Sequence, residues 1–288
     1  MFEMLINPAK AERKPWEMFF VGVFYASISI LLVEWVFKND PVLSAAGGIL
    51  VVTFTVMFSI PFMFYMFRIE EVKSSQEGSS AIQLLKEHRR ALWAFMWLFV
   101  GFVIGFSFWY ILLQTTTSAE QQLKTFCNIN KPNDPKCAET ILSNTKEQLG
   151  PTAFASNRER MFLIFANNTY VLIFTLIFSL LFGAGVVFIL AWNASVIAAA
   201  IAIFTKSDLN YLPLALLRYF VHGLPEIGSY FIAALSGGMI SFAVIRRDIG
   251  TEKFWRVLQD SLNLIILAVI LLFVSALIEV FVTPMLFS

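Results

Sequence analysis

The chain has 288 residues, of which 58% are hydrophobic and 14% charged, against roughly 45–50% and 25% in soluble globular proteins. Phenylalanine alone occurs 31 times, and the formal net charge is +1. That balance excludes a water-soluble domain and gives no electrostatic footprint for nucleic acid; the solvent such a chain expects is the lipid bilayer.

The first element, Trp16–Phe37, follows Lys10, Arg13 and Lys14. It is too long for the apolar core of a cleaved signal and has no A-x-A-like exit, so it reads as a retained first span. Val42–Phe67 is the second span. Residues 68–90 then form a loop, flexible over Ser74–Ser80, and a helical lead over Ala81–Arg90 into the third span, Ala91–Gln114. Gly101 and Gly105 give that span a small-x-x-x-small face suited to close helix contact. Residues 115–160 are the longest polar segment and hold the only two cysteines, Cys127 and Cys137. In an oxidising space these predict a local disulfide, with two free thiols as the alternative. Ala138–Leu149 predicts a surface helix.

From Met161 to Phe204 there are 44 residues without Asp, Glu, Lys or Arg. A crossing needs about 20 apolar residues, so this run holds two. Gly183 and Gly185 divide it into Met161–Leu181 and Ala184–Phe204; alternatively one long helix continues to Trp192 and turns at Asn193. Tyr219–Ile245, with Gly237 and Gly238, is the sixth span. Thr251–Asp260 predicts an interfacial stretch before the last span, Ser261–Leu286. Trp16, Trp35, Trp93 and Trp109 lie near span ends, as interfacial anchors do.

Basic residues decide the count. Lys10, Arg13 and Lys14; Arg68, Lys73, Lys86, Arg89 and Arg90; and Arg246, Arg247, Lys253 and Arg256 form three clusters. Seven spans put all three in the cytoplasm, whereas six would send the last outside. The expectation is therefore an all-α, polytopic transmembrane bundle of about seven spans with glycine-broken central helices. Residues 1–288 form one membrane domain, with the N-terminus cytoplasmic and the C-terminus and residues 115–160 outside.

Polar residues within apolar spans carry the functional information: Glu34, Asn167, Asn168, Asn193, His222, Glu226 and Glu279. A carboxylate at mid-bilayer costs at least about 2.5–3.5 kcal/mol on insertion scales, so each should face other helices or water. His222 and Glu226 are four apart and share a helix face. In the seven-span arrangement Asn167, Asn168, His222, Glu226, Glu279 and Glu34 come to similar depth, which predicts a polar pocket in the outer half of the bundle. The competing readings are a structural hydrogen-bond network, a binding or conducting pocket, and a metal or catalytic centre. Pro225 should open the helix beside this group. No His-Glu-x-x-His pair exists, and His88 lies on the cytoplasmic side, so neither a metal nor a cofactor is expected. The sequon at Asn167 lies too deep for glycosylation.

These residues, in this order, resemble the stage II sporulation protein M family. The likeness rests on the Asn167-Asn168 pair, Gly183-x-Gly185, Asn193, His222-Gly223-Leu224-Pro225-Glu226 running through Gly237-Gly238, and Ile278-Glu279 followed by Thr283-Pro284. It is strongest over residues 160–288 and looser over the first three spans. Ser-Tyr-Phe-Ile-Ala-Ala after the His-Gly motif, and Arg-Arg-Asp-Ile-Gly-Thr-Glu-Lys-Phe-Trp in the linker, look most like archaeal members. The resemblance implies a polytopic membrane protein without assigned enzymatic activity, with Asn167, Asn168, His222, Glu226 and Glu279 as marked positions. Sporulating bacterial members work in a membrane complex that recruits cell-wall hydrolases during engulfment, a role that does not transfer to an archaeal chain. The expected function is a non-enzymatic scaffold in membrane or envelope organisation, embedded in the lipid bilayer with further copies or other membrane proteins. The alternatives are a transporter or channel for a small solute or ion through the outer pocket, and an intramembrane metal-dependent hydrolase using His222 and Glu226.

Overall fold

Within hydrocarbon every backbone N–H and C=O must find a partner inside the protein, and a helix achieves this within one segment. The computed structural model follows that rule: among the described residues, 14–40, 42–74, 81–113, 118–130, 157–182, 186–207 and 212–286, all regular structure is helical. The elements are α1 (Glu17–Val36), α2 (Gly47–Ser74), α3 (Ala81–Leu113), α4 (Glu120–Asn130), α5 (Asn157–Phe182), α6 (Val186–Ser207), α7 (Leu212–Ile245) and α8 (Glu252–Leu277). A π-helical turn, Ile278–Val282, and a last turn, α9 (Thr283–Leu286), complete the chain. Helices α1, α2, α3, α5, α7 and α8 are long and apolar enough to cross a bilayer, and α6 contributes the shorter apolar run Val187–Ile203.

Contacts between helices fix their directions. A Cβ on Gly101 of α3 would lie 2.9 Å from Gly22 Cα of α1, and one on Gly105 would lie 2.8 Å from Ala26 Cβ. Residue numbers rise together, so α1 and α3 are parallel, packed backbone to backbone through glycines, and α2 returns between them. The same holds for α5 and α7. Asn168 hydrogen-bonds Glu226, Ser179 Oγ donates to the Ala234 carbonyl, and a Cβ on Gly237 would lie 2.9 Å from Ser179 Cβ. Two parallel neighbours in sequence require α6 to carry the chain back through the depth of the bundle. Six long helices and this return give the passes expected from the basic clusters. Helix α6 is continuous through Asn193, whose Nδ2 donates to the Ile189 carbonyl at 2.7 Å, so the alternative turn at Asn193 is not formed. Helix α5 is described to Phe182 and α6 from Val186; the expected break at Gly183 and Gly185 lies outside the described residues.

Helices α3 and α7 form the centre. Every residue from Phe231 to Met239 is buried, and Phe231 packs against Phe95 at 5.7 Å and Phe99 at 6.3 Å between ring centroids. The outer faces carry exposed apolar side chains, among them Phe20, Trp35, Trp93, Phe162 and Ile266, as a lipid-facing surface requires. Thr251 caps α8, its Oγ1 accepting from Phe254 N at 3.2 Å, ahead of the exposed Trp255.

The short α4 folds back onto the bundle. Gln122 Nε2 donates to the Gly48 carbonyl at 3.0 Å and lies 3.3 Å from Ser195 Oγ, while Gln121 accepts from Gly48 N at 3.1 Å and donates to the Ala45 carbonyl. The bond to Gly48 N satisfies one of the N–H groups that the opening turn of α2 leaves without a helical partner. Cys127, on the same helix, is disulfide-bonded. Cys137 and the expected helix Ala138–Leu149 lie outside the described residues. Between α1 and α2, Asp40 Oδ1 accepts from Val42 N and Leu43 N at 2.9 and 2.8 Å, and these two donors hold its carboxyl below the usual carboxylate range.

Candidate functional site

The expected polar residues fall on four elements. Asn167 and Asn168 lie on α5, His222 and Glu226 on α7, Glu279 in the π turn, and Glu34 on α1.

Glu226 is the centre. Tyr230, one helical turn further along α7, donates its hydroxyl to Glu226 Oε1 at 3.0 Å, and the Asn168 side chain hydrogen-bonds the same carboxyl from α5. Glu279 lies within electrostatic range of Glu226 and of Tyr230, and Arg160, about two turns before the Asn pair on α5, acts on Glu279. Helices α5 and α7 thus meet through a carboxylate, an amide and a phenol, with the Glu279 carboxyl and the Arg160 guanidinium within electrostatic reach.

His222, one turn before Glu226 on the same face of α7, meets the end of α8 and the turn after it. Its Nδ1 lies 3.4 Å from Thr283 Oγ1, and its carbonyl accepts from Ser275 Oγ at 2.7 Å. Pro225 lacks an N–H and crowds the carbonyl four residues earlier, Val221, yet α7 continues through it. The Ser275 bond falls one residue on, at the His222 carbonyl, and ties α8 to this same turn. A second proline shapes the facing element. Pro284 crowds the carbonyl four residues earlier, Val280, and the helix widens into a π turn over Ile278–Val282 immediately ahead of it. Thr283 closes that turn with its N–H and, at 3.2 Å, its hydroxyl, both on the Ile278 carbonyl. The widening sets the direction in which Glu279 leaves its helix.

Two expected members stand differently. Asn167 is exposed on the outer face of α5 and reaches the group only through its Nδ2, which lies 3.2 Å from Asn168 Oδ1. Adjacent helix residues point about 100° apart, so both amides cannot face inward. Glu34 does not join the group. Helix α1 packs chiefly on α3 and α2, and Glu34 acts electrostatically on Tyr110 and borders a small cleft with Lys38, Ser44 and Ser118. Similar depth was the only link to the others, and depth says nothing about azimuth around the bundle.

Tyr230, Ser275, Thr283 and Arg160 were not among the expected site residues, although Thr283 belongs to the terminal motif. Tyr230 stands four after Glu226 and Thr283 four after Glu279, a spacing that places each on its acid's helix face. Chemically, two neighbouring acids with an amide and a phenol can share a proton, accept a cation, or serve as a polar lock between helices. Among the described residues no group of three or more His, Cys, Asp or Glu side chains has the spacing to hold a metal ion.

The sequence model of the family described as Stage II sporulation protein M matches residues 18–284. No curated protein and no solved structure matches the chain.

Proposed function

The chain belongs to the Stage II sporulation protein M family, and from that premise we propose that it is a non-enzymatic scaffold of the cell membrane, assembling with further copies or with other membrane proteins. The observation that carries this reading is the satisfaction of the polar group from within. Glu226 is held by hydrogen bonds from Tyr230 and Asn168, and Ser275 donates to the His222 carbonyl in the α7 turn ahead of Pro225. Such a network fixes the mutual positions of α5, α7 and α8, which is what a docking platform needs. The N-terminus is placed in the cytoplasm by the basic clusters, with α4 and its disulfide on the opposite side.

The pairing of Glu226 with Glu279 favours a second reading, transport of a small cation or proton-coupled solute through the outer half of the bundle. Reconstitution separates the two. Purified protein in liposomes should pass neither protons nor small ions above the protein-free background; reproducible flux that disappears in Glu226→Gln would replace the scaffold with a transporter. Orientation is checked by maleimide labelling of Cys127 in intact cells after reduction. Labelling by a membrane-impermeant reagent is expected, and labelling only after permeabilisation would reverse the topology.

A further inference from the structure

We propose that the outer face of α5 is a self-association surface, on which two copies of this chain pair in parallel around Asn167. The inference rests on the reading of the chain as an assembling membrane protein and names the surface that does it.

Leu163, Asn167, Tyr170, Phe174 and Ile177 are all exposed on α5. Their spacing is 4, 3, 4, 3, the seam of a left-handed helix pair in which each residue seats between residues of its partner. The buried residues Asn168, Leu172, Thr175 and Ser179 form the opposite face, toward α7. An apolar outward face needs no protein partner in lipid. Asn167 does. It lies ten residues into the helix, past Arg158 and Arg160, about 15 Å along the axis from Asn157. There its amide has one hydrogen bond within the bundle, to Asn168, and turns its remaining capacity to hydrocarbon. A primary amide has two donors and an acceptor with two lone pairs, and leaving part of it unpaired in hydrocarbon is costly.

A second copy supplies the missing partner without any further assumption about shape. Both copies insert with the same topology, so a twofold axis runs along the membrane normal and like residues meet at like depth. Asn167 then faces Asn167, and an amide is complementary to itself, each donating to the other. The area is adequate. With a ring taken as about 200 Å², the 68% exposure of Tyr170 and 59% of Phe174, together with Leu163, Asn167 and Ile177, offer roughly 500 Å² per copy. The pair therefore buries about 1,000 Å², the threshold of a specific interface. The surface also adjoins the candidate site, because Asn167 is bonded to Asn168 and Asn168 to Glu226.

The test uses the full chain in lipid nanodiscs with a photo-crosslinking amino acid at position 170 or 174, and at Ile266 on the exposed face of α8 as the control. A covalent dimer is expected from 170 and 174 and not from 266. Asn167→Leu should weaken dimerisation roughly tenfold by single-molecule counting across dilution in lipid, while Asn167→Gln, which keeps the amide, retains most of it. Thermal unfolding of each variant confirms that the monomer fold is kept. A monomeric wild type, crosslinks equally strong from 266, or a dimer indifferent to Asn167→Leu each overturns the proposal. Solute flux in liposomes would instead defeat the scaffold reading and leave this interface in place.

Discussion

Helices α5 and α7 run side by side in the same direction, and both carry polar residues inside an apolar sequence. Their surroundings are opposite. In the most apolar stretch of α7, 83% of residues are buried; in that of α5, 17% are. Helix α7 packs against α2, α3, α5, α6 and α8, whereas the main contact of α5 is α7 itself. A polar group on α7 is therefore always among protein atoms, and its cost is met by partners such as Tyr230, Ser275 and Thr283. A polar group on α5 is met only if it lies on the α7 side. Composition alone would rank the two helices as equals. What separates them is the face each residue occupies, and function divides accordingly into a rigid frame and a presented surface.

The sharpest way to break that comparison is to disturb the seam between the two. Gly237→Leu would drive a side chain into the Leu176 carbonyl, 2.8 Å from the position of the new Cβ, and into Ser179. Backbone cannot yield as a side-chain tip does, so a loss of about 3 kcal/mol or more is expected. Unfolding from mild detergent into SDS, followed by tryptophan fluorescence, measures it. Wild-type stability in this variant would mean that α5 and α7 are not in backbone contact at this level.

The next largest effect belongs to Glu226. Replacing it by leucine strands the Tyr230 hydroxyl and the Asn168 amide in the bundle, at a cost of about 2 kcal/mol. Glutamine keeps an acceptor for Tyr230, and it should cost under about 1 kcal/mol in the same unfolding experiment. An equal loss for both would show that the charge, rather than the hydrogen bonds, holds α7 to its neighbours.

How much of this was legible beforehand follows from the same geometry. The spans and their approximate number come from length and charge, quantities that the bilayer imposes on a sequence directly. Asn168, His222, Glu226 and Glu279 could be chosen because each is too polar for its segment. Their partners could not be chosen so easily. Serine, threonine and tyrosine are tolerated in lipid-facing helices, so Ser275, Thr283 and Tyr230 raise no alarm until the fold puts them beside a carboxyl, an imidazole or a neighbouring helix's carbonyl. Arg160 sits at a span end, where arginines are ordinary. Azimuth was the other missing quantity. Asn167 and Glu34 were grouped with the rest by depth, and only packing shows that one faces outward and the other faces α2 and α3.

A smaller effect tests the link between α8 and the α7 turn ahead of Pro225. Ser275→Ala removes the donor to the His222 carbonyl, and interhelical hydrogen bonds of this kind average roughly 0.6 kcal/mol in membrane bundles. The loss should appear as faster backbone hydrogen exchange around His222 on α7, with α5 unchanged. Exchange that quickens on α5 as well would mean that the turn, and not the Glu226 group, is what couples the two helices.

The most discriminating test ends on the smallest effect, because it compares two residues of one kind, one position apart. Asn168→Leu withdraws a hydrogen bond from Glu226 and should destabilise the folded monomer by about 1 kcal/mol. Asn167→Leu puts an apolar side chain where the amide meets lipid, and it should change monomer stability by less than about 0.5 kcal/mol in either direction. Its consequence appears only when two chains can meet. The helix has no other difference to offer between these neighbours: same type, same depth within one residue rise, same backbone. If the two variants unfold alike, the face of α5 on which a side chain sits has no energetic meaning, and the division into frame and surface fails with it.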